Sequence, residues 1–145
     1  MDKIDVTIIS TIQENPKITM TELSKKINLS RSSIGERIDK LKNNGVIEGY
    51  QLIVNPYKIG YNLLCFLFIS DMKIDYNQVI QNLKENNQVL EVHCLTGDDA
   101  YLVKMVSPNI NELDKYLSKL MKFCKVETKI VLSTPISQRG LKPII

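Results

Sequence analysis

The sequence predicts an α+β protein in which an N-terminal winged helix-turn-helix domain is followed by a ferredoxin-like domain of order βαββαβ. Three observations lead to this fold class. Residues 19–47 have the pattern of two short amphipathic helices joined by a tight turn, with a glycine and strand-like residues after them. Proline and glycine then interrupt the chain at residues 55–60. Beyond this break, four strand-like segments alternate with two helical patterns that are apolar on one side.

The composition is that of an ordinary globular protein, since 43% of the 145 residues are hydrophobic and 24% are charged. The longest apolar run, residues 63–69, is far shorter than the roughly 20 residues that cross a bilayer, and the N-terminus has no signal-peptide core. Cys65, Cys94 and Cys124 form no C-x-x-C pair, which favours reduced core thiols over a metal or redox site. We therefore expect a cytoplasmic protein without a metal or other cofactor.

A first helix is expected to begin near Asp2 or Asp5 and to continue to about Glu14. Its apolar side chains recur on one face, at Ile8, Ile9 and Ile12. The pair Asn15-Pro16 ends this helix, because a proline disfavours helical backbone at the residue before it.

Two further helices form the predicted helix-turn-helix. Thr19 and Glu22 have the spacing of a capping box at the start of the second helix, and Ser30 caps the third. The inward-facing residues fall at helical spacing and are Leu23, Ile27, Ile34, Ile38 and Leu41. Gly45 ends the third helix, and the apolar residues of segment 46–53 then supply strand-like material for a wing.

We expect the winged helix-turn-helix domain to span residues 1–54, a linker to span 55–61 and the second domain to span 62–145. The predicted elements of the second domain are strand 63–72, helix 76–86, strand 89–96, strand 100–107, helix 109–121 and strand 125–133. Both helices would cover one face of a four-stranded antiparallel sheet. The first strand is apolar at nearly every position, so we expect a partner subunit to bury its other face.

Basic residues are concentrated in the helix-turn-helix. The whole chain has a net charge of only +3, whereas residues 25–42 carry six basic and two acidic side chains, a local charge of +4. A local excess of this kind favours an interaction with the phosphates of double-stranded DNA. Since a helix-turn-helix places one helix in the major groove, we expect binding and not catalysis.

A series of short motifs runs along essentially the full chain. They are Asp2, Asp5, Ile8-Ile9, Glu22-Leu23, Leu29-Ser30, Arg37-Ile38, Leu41, Gly45-Val46-Ile47, Asn55-Pro56, Ile59-Gly60-Tyr61, Thr96-Gly97 and Tyr101. In order and spacing they resemble the Lrp/AsnC family of feast/famine transcriptional regulators. The resemblance implies a C-terminal RAM domain, a homodimer built by sheet packing and further association into an octamer. It also implies a small-molecule effector, usually an amino acid, bound between dimers near Thr96 and Gly97.

The third helix carries the residues expected to contact DNA. They are Ser30, Arg31, Ser32, Ser33, Glu36, Arg37 and Lys40. Ser32, Ser33 and Glu36 are expected to face base edges, whereas Arg31, Arg37 and Lys40 are expected to reach phosphates. Two alternatives stay open: Glu36 only solvates the helix surface, and Arg37 buttresses the core. Gly35 either permits close approach to DNA or is a tolerated weak position.

The effector site is expected at Thr96, Gly97, Asp98, Asp99, Ala100 and Tyr101. Backbone N–H groups of this loop would hold a carboxylate while an aspartate meets an ammonium group. The family commonly has an acidic residue just before the aromatic one, and Ala100 departs from that pattern. A plain connection between two strands is the alternative for this loop.

The single histidine, His93, alternates with neighbouring strand residues and is expected to be structural. An enzyme hypothesis competes with this, because relatives of the same architecture include siroheme decarboxylases, which use histidine. This chain lacks their arginine-rich segment beside the linker, which favours the structural role of His93 over the enzyme hypothesis. A further alternative is an amino-acid sensor that acts through protein partners without DNA.

Overall fold

The computed structural model describes residues 1–144, and the chain divides into two compact units. The first unit contains Met1–Ile53 together with residues 136–144, and the second contains Val54–Pro135. No helix among the described residues is long and apolar enough to cross a membrane.

Three helices build the first unit: α1 (Lys3–Glu14), α2 (Met20–Ile27) and α3 (Arg31–Asn43). They enclose a buried core of Ile8, Ile9, Leu23, Ile34, Ile38 and Leu41. Ile12 and Ile27 pack against this core and are partly buried. The predicted apolar faces of all three helices are therefore confirmed.

Short-range hydrogen bonds set the starts of these helices. A capping box begins α1, where the carboxylates of Asp2 and Asp5 each accept the other residue's backbone N–H at 2.9 Å. The predicted box of Thr19 and Glu22 begins α2. The Glu22 N–H donates to the Thr19 hydroxyl at 3.2 Å, and the Thr19 N–H donates to the Glu22 carboxylate at 2.8 Å. Local sequence thus determines where α1 and α2 begin.

The end of α3 is formed as predicted, but the wing strands are not. Gly45 has a φ of +69°, and the N–H groups of Gly45 and Val46 close the helix by donating to carbonyls of its last turn. Residues 48–54 adopt neither helix nor strand, and Leu52 and Ile53 are 82% and 81% exposed. A strand needs a neighbour that pairs with its backbone groups, and none within residues 1–144 pairs with this segment.

The second unit has the predicted order βαββαβ. After a 3₁₀ turn at Pro56–Ile59, its elements are β1 (Leu63–Ser70), α4 (Tyr76–Lys84), β2 (Val89–Cys94), β3 (Tyr101–Ser107), α5 (Ile110–Leu120) and β4 (Lys125–Ile130). The strands form one antiparallel sheet of order β2-β3-β1-β4. The ferredoxin-like expectation is confirmed.

Helices α4 and α5 supply Val79, Leu83, Leu113 and Leu120 to one core with the sheet. Alternate residues of β1 complete that core and are 0% exposed: Cys65, Leu67 and Ile69. The other face of β1 carries half-buried Leu64, Phe66 and Phe68. We call this second surface the open face. It is apolar along β1, and α4 and α5 pack on the first face of the sheet and not on this one.

After Pro135, the chain groups with the first unit and not with the second. The sequence predicts one domain over residues 62–145, whereas residues 136–144 group with the first unit. There Gly140 lies against α1, so closely that a Cβ added to it would sit 2.6 Å from the side-chain oxygen of Gln13. The sequence does not predict this placement, because the tail has no periodic pattern that indicates its packing partner. Gly140 and Gln13 also lie near opposite ends of the sequence.

Candidate nucleic-acid interface and effector loop

The N-terminus of α3 carries a cluster of hydroxyl groups. Ser30 accepts the backbone N–H of Ser33 at 3.1 Å, and its hydroxyl oxygen lies 2.9 Å from that of Ser32 and 2.8 Å from that of Ser33. The first N–H groups of a helix lack helical partners and favour negative charge. This end of α3 therefore suits contact with phosphates or with the polar edges of bases.

The outward face of α3 is polar. Arg31, Ser32, Glu36 and Lys40 are exposed, Ser33 is half-buried, and the apolar residues of the helix lie on the opposite face. Nothing lies within 4 Å of a Cβ built on Gly35, so no contact within the described chain requires a glycine there. The helix thus packs through one face and leaves the other free for a partner.

Arg37 is not placed as a phosphate contact in this structure. Its Nη1 donates to Asp2 Oδ2 and to Asp5 Oδ1, at 2.7 Å in both cases, and its side chain is 31% exposed. The guanidinium therefore joins α3 to the start of α1, which is the buttressing alternative. The partners lie 35 and 32 residues away in sequence and leave no local pattern, which is why sequence reasoning favours the phosphate contact.

Asp2 and Arg37 stabilise each other's charged forms. The backbone N–H of Asp5 and the Arg37 guanidinium hold the pKa of Asp2 below its usual value, and hydrogen bonds from Arg37 to Asp2 and Asp5 raise the pKa of Arg37. Ser33, Glu36 and Lys40 line the same open groove as these three residues, with a volume of about 640 Å³. The ion pairs therefore border the predicted DNA-contacting face.

The loop between β2 and β3 holds most of the predicted effector residues. The Leu95 N–H donates to the Ala100 carbonyl at 2.9 Å, and the Ala100 N–H donates to the Ile69 carbonyl at 2.8 Å, which ties the base of the loop to β1. Gly97 has a φ of +105°, a conformation that glycine adopts without strain. Exposure decreases along the loop, from exposed Thr96, Gly97 and Asp98 to half-buried Asp99 and Ala100.

Tyr101, the first residue of β3, is not part of the exposed β2–β3 loop. Its side chain is 1% exposed in the helix-side core, and its ring centroid lies 5.4 Å from that of Tyr76. The Tyr101 hydroxyl is buried and has no hydrogen-bond partner within residues 1–144. The expectation that Tyr101 contacts an effector is therefore not met in the single chain, because strand alternation directs residue 101 into the core.

His93 belongs to a cluster of polar and charged side chains on the open face. Its Nε2 lies 3.2 Å from Glu91 Oε2, and Lys104 Nζ donates to Glu91 Oε1 at 2.6 Å. Lys104, with a smaller contribution from His93, holds the pKa of Glu91 below its usual value. Sequence reasoning misses the Glu91–Lys104 pair, because it depends on the register of β2 against β3. Among the residues the structure describes, no cluster of His, Cys, Asp or Glu is suited to hold a metal ion.

Comparison with known proteins identifies the first unit as a DNA-binding domain and the second as a ligand-binding domain. The chain matches a winged helix-turn-helix DNA-binding model over residues 1–48 and an Lrp/AsnC ligand binding domain model over residues 64–141. It is 38% identical to the HTH-type transcriptional regulator FL11 of Pyrococcus abyssi, over 92% of this chain and 91% of that protein. It is 32% identical to the leucine-responsive regulatory protein of Klebsiella pneumoniae, over 83% of this chain and 76% of that protein.

A solved structure shares the fold. The transcriptional regulator NMB0573 of Neisseria meningitidis, in complex with L-Met, superimposes with a TM-score of 0.89 at 23% identity, over 97% of this chain and 96% of that one. The helix-turn-helix and the β2-β3-β1-β4 sheet thus occur together in a known architecture. With sequence similarity over most of its length, the chain belongs to the Lrp/AsnC family of transcriptional regulators.

Proposed function

We propose that this regulator controls transcription by placing the outward face of α3 in the major groove of double-stranded DNA. The observation that carries this proposal is the division of α3 into two faces. Ile34, Ile38 and Leu41 are buried, while Arg31 and Lys40 are exposed on the same helix as the hydroxyl cluster at its N-terminus. A helix of this kind reads bases through the side chains of its N-terminal half.

The polar residues of this face divide into two roles. Ser32, Ser33 and Glu36 face base edges, where a carboxylate that accepts from cytosine N4 contributes about 1–3 kcal/mol of discrimination. Arg31 and Lys40 meet phosphates, which set affinity and register without reading the sequence. Ser30 contributes as the cap that orders the first turn of α3.

A gel-shift assay in a salt series, on the DNA upstream of the chain's own gene, tests this proposal. We expect affinity to fall as salt rises, because phosphate contacts release counterions. Arg31→Gln and Lys40→Gln should weaken binding to all sequences, whereas Ser32→Ala and Glu36→Gln should change the preferred sequence. No binding at low salt would support the alternative of a sensor without DNA, and equal effects of both groups of variants would contradict the division of roles.

We propose a homodimer formed through the open face, with dimers assembling further into an octamer as the family resemblance implies. The apolar Leu64, Phe66 and Phe68 support this proposal, because α4 and α5 cover only the opposite face of the sheet. A two-fold dimer presents two copies of α3, so its operator should be a loose palindrome with half-sites about 10–10.5 bp apart or a multiple of that spacing. A footprint over one asymmetric half-site would contradict this model.

We propose an amino acid as the effector, bound near the β2–β3 loop. The exposed segment from Thr96 to Asp98 and the half-buried Asp99 support this site, and two relatives are named for leucine response or solved with L-Met. Light scattering with and without leucine or methionine tests it, since an effector bound between dimers changes particle mass. Asp98→Asn and Asp99→Asn should abolish that change. Identical masses and no heat of binding with either amino acid would reject these two effectors.

We also propose that the protein acts in the cytoplasm, beside its DNA target, and has no enzymatic activity. The Glu91–His93–Lys104 cluster consists of the Glu91–Lys104 ion pair and a hydrogen bond between His93 and Glu91, and it includes neither a nucleophile nor a metal site. The siroheme hypothesis is tested by an absorbance spectrum after siroheme is added. A shifted absorption band would contradict the non-enzymatic proposal.

A further inference from the structure

We propose that Asp2 and Asp5 are positioning residues that sharpen DNA specificity by holding Arg37 away from DNA phosphates. This inference rests on the proposed placement of α3 in the major groove. Arg37 lies on α3 one residue after Glu36, and it lines the same groove as Ser33 and Lys40. A free arginine at this place would be a strong ligand for any phosphate, whatever the DNA sequence.

Each of the four carboxylate oxygens of Asp2 and Asp5 accepts a hydrogen bond. Asp2 uses Oδ1 to accept the Asp5 N–H and Oδ2 to accept from Arg37. Asp5 uses Oδ2 to accept the Asp2 N–H and Oδ1 to accept from Arg37. Neither carboxylate can follow Arg37 toward DNA without breaking the capping box of α1. The first turn of α1 therefore holds Arg37 in place, with Nη1 2.7 Å from Asp2 Oδ2 and 2.7 Å from Asp5 Oδ1.

The charges of this cluster also oppose a phosphate contact. Two carboxylates face one guanidinium, so the cluster carries a net negative charge beside the DNA-contacting face. The Asp5 side chain is only 14% exposed, whereas Arg37 is 31% exposed, so water screens the inner ion pair least. Release of Arg37 to a phosphate would leave two acids close together without their counter-charge.

The consequence is a shift in the balance between two kinds of DNA contact. Phosphate contacts strengthen binding to every sequence, whereas base contacts strengthen binding to the operator alone. Specificity is the difference between these affinities. Removing one arginine from the phosphate-binding set lowers non-specific binding, and base contacts then make up a larger share of the total.

The slope of log affinity against log salt concentration tests this inference. This slope is negative, and its magnitude decreases by about 0.9 for each phosphate contact that is lost. We expect Arg37→Met to leave the slope unchanged on operator DNA. The matched control Lys40→Met, on the same helix, should reduce it by about 0.9. Asp2→Asn together with Asp5→Asn keeps side chains that cap helices well but frees Arg37, so it should steepen the slope by about 0.9 and reduce the ratio of operator to random-DNA affinity.

Several results would overturn the inference. A reduced slope for Arg37→Met, equal to that of Lys40→Met, would show that Arg37 contacts a phosphate. An unchanged slope for the asparagine variant would show that the acids do not restrain Arg37. If Lys40→Met and Arg31→Met both leave the slope unchanged, α3 is not the DNA surface and the proposed interface fails with the inference. Circular dichroism checks that each variant folds. If the double asparagine variant does not fold, Asp2→Asn alone takes its place, because the Asp2 side chain is 52% exposed.

Discussion

Asp2 couples its own protonation to the stability of the first unit. The Asp5 N–H and then Arg37 lower its pKa from the usual value of 3.8. A carboxyl group whose pKa is lower in the folded state stabilises the fold above its unfolded pKa, and this stabilisation is lost as pH falls through the folded pKa. We therefore expect the urea midpoint of the wild type to fall more steeply below pH 3.8 than that of Asp2→Asn. Equal pH dependence of the two proteins would contradict the coupling.

The three cysteines differ in burial and so in expected reactivity. Cys65 and Cys124 are buried and Cys94 is exposed. Burial raises the pKa of Cys65 to about 11 and also raises that of Cys124. Because the thiolate is the reactive form, an alkylating reagent at neutral pH should label Cys94 and spare the other two. Peptide mass spectrometry measures this, with the urea-unfolded protein as the control in which all three react. Rapid labelling of Cys65 in the native protein would show that β1 opens.

Single residues are predictable from sequence when their partner is close in the chain. Thr19 and Glu22 are three residues apart, and the capping box between them is found as expected. Arg37 is different, because its partners come from another helix and only the packed core brings them within reach. The buried position of Tyr101 depends in the same way on which face of the sheet the helices cover.

The helix α3 contains one glycine and is followed by another, and the two have opposite requirements. Gly35 lies inside the helix with open space around it, so Gly35→Ala should stabilise the first unit by about 1 kcal/mol. Gly45 has a φ of +69°, where an L side chain is strained, so Gly45→Ala should destabilise it by about 1–2 kcal/mol. Urea unfolding of both variants measures these changes. The same sign for both would contradict the roles of the two positions.

DNA binding by Gly35→Ala separates the two hypotheses for that residue. If α3 approaches DNA closely at Gly35, the added methyl group should reduce affinity although the fold becomes more stable. Unchanged affinity would show that glycine is only a tolerated weak position there. Gly45→Ala is the control for an effect of stability on DNA binding, because it changes stability without adding an atom to the outward face of α3.

At the scale of elements, the helices and strands follow from apolar periodicity, because each packs one face on a core. Two segments do not follow from it. Residues 48–54 have strand-like composition but no neighbouring strand to pair with among the residues described. The tail from Ile136 packs with the first unit through contacts such as that of Gly140 with Gln13. Pairing and long-range packing, rather than local pattern, decide both cases.

The whole chain consists of two units with separate cores. The backbone passes from one unit to the other twice, after Ile53 and after Pro135. The effector binding and subunit association proposed for the second unit therefore have two covalent connections to the helix-turn-helix. Neither the return of the tail nor the proposed pairing of subunits is visible in the periodicity of the sequence, although the apolar character of β1 indicates that a second surface is needed.

Phe66 allows the proposed subunit contact to be tested without unfolding the protein. It lies in the middle of β1, opposite Lys104 on β3 and Lys129 on β4. Phe66→Glu places a carboxylate between two lysines, which offset its charge in the isolated sheet, but puts a charge in the middle of the open face. We expect the variant to keep its circular dichroism spectrum and to have the mass of a single chain by light scattering, whereas the wild type should have the mass of a dimer or of a larger assembly.

Loss of the dimer should also weaken operator binding. Two linked copies of α3 bind with an avidity that exceeds single binding by about 10²–10⁴-fold, so Phe66→Glu should lose affinity within that range. The matched control is Leu67→Ala on the opposite face of the same strand, which should destabilise the second unit by about 2–5 kcal/mol without a specific effect on mass. If Phe66→Glu keeps both its mass and its operator affinity, subunits associate through another surface, and the apolar side of β1 requires a different explanation.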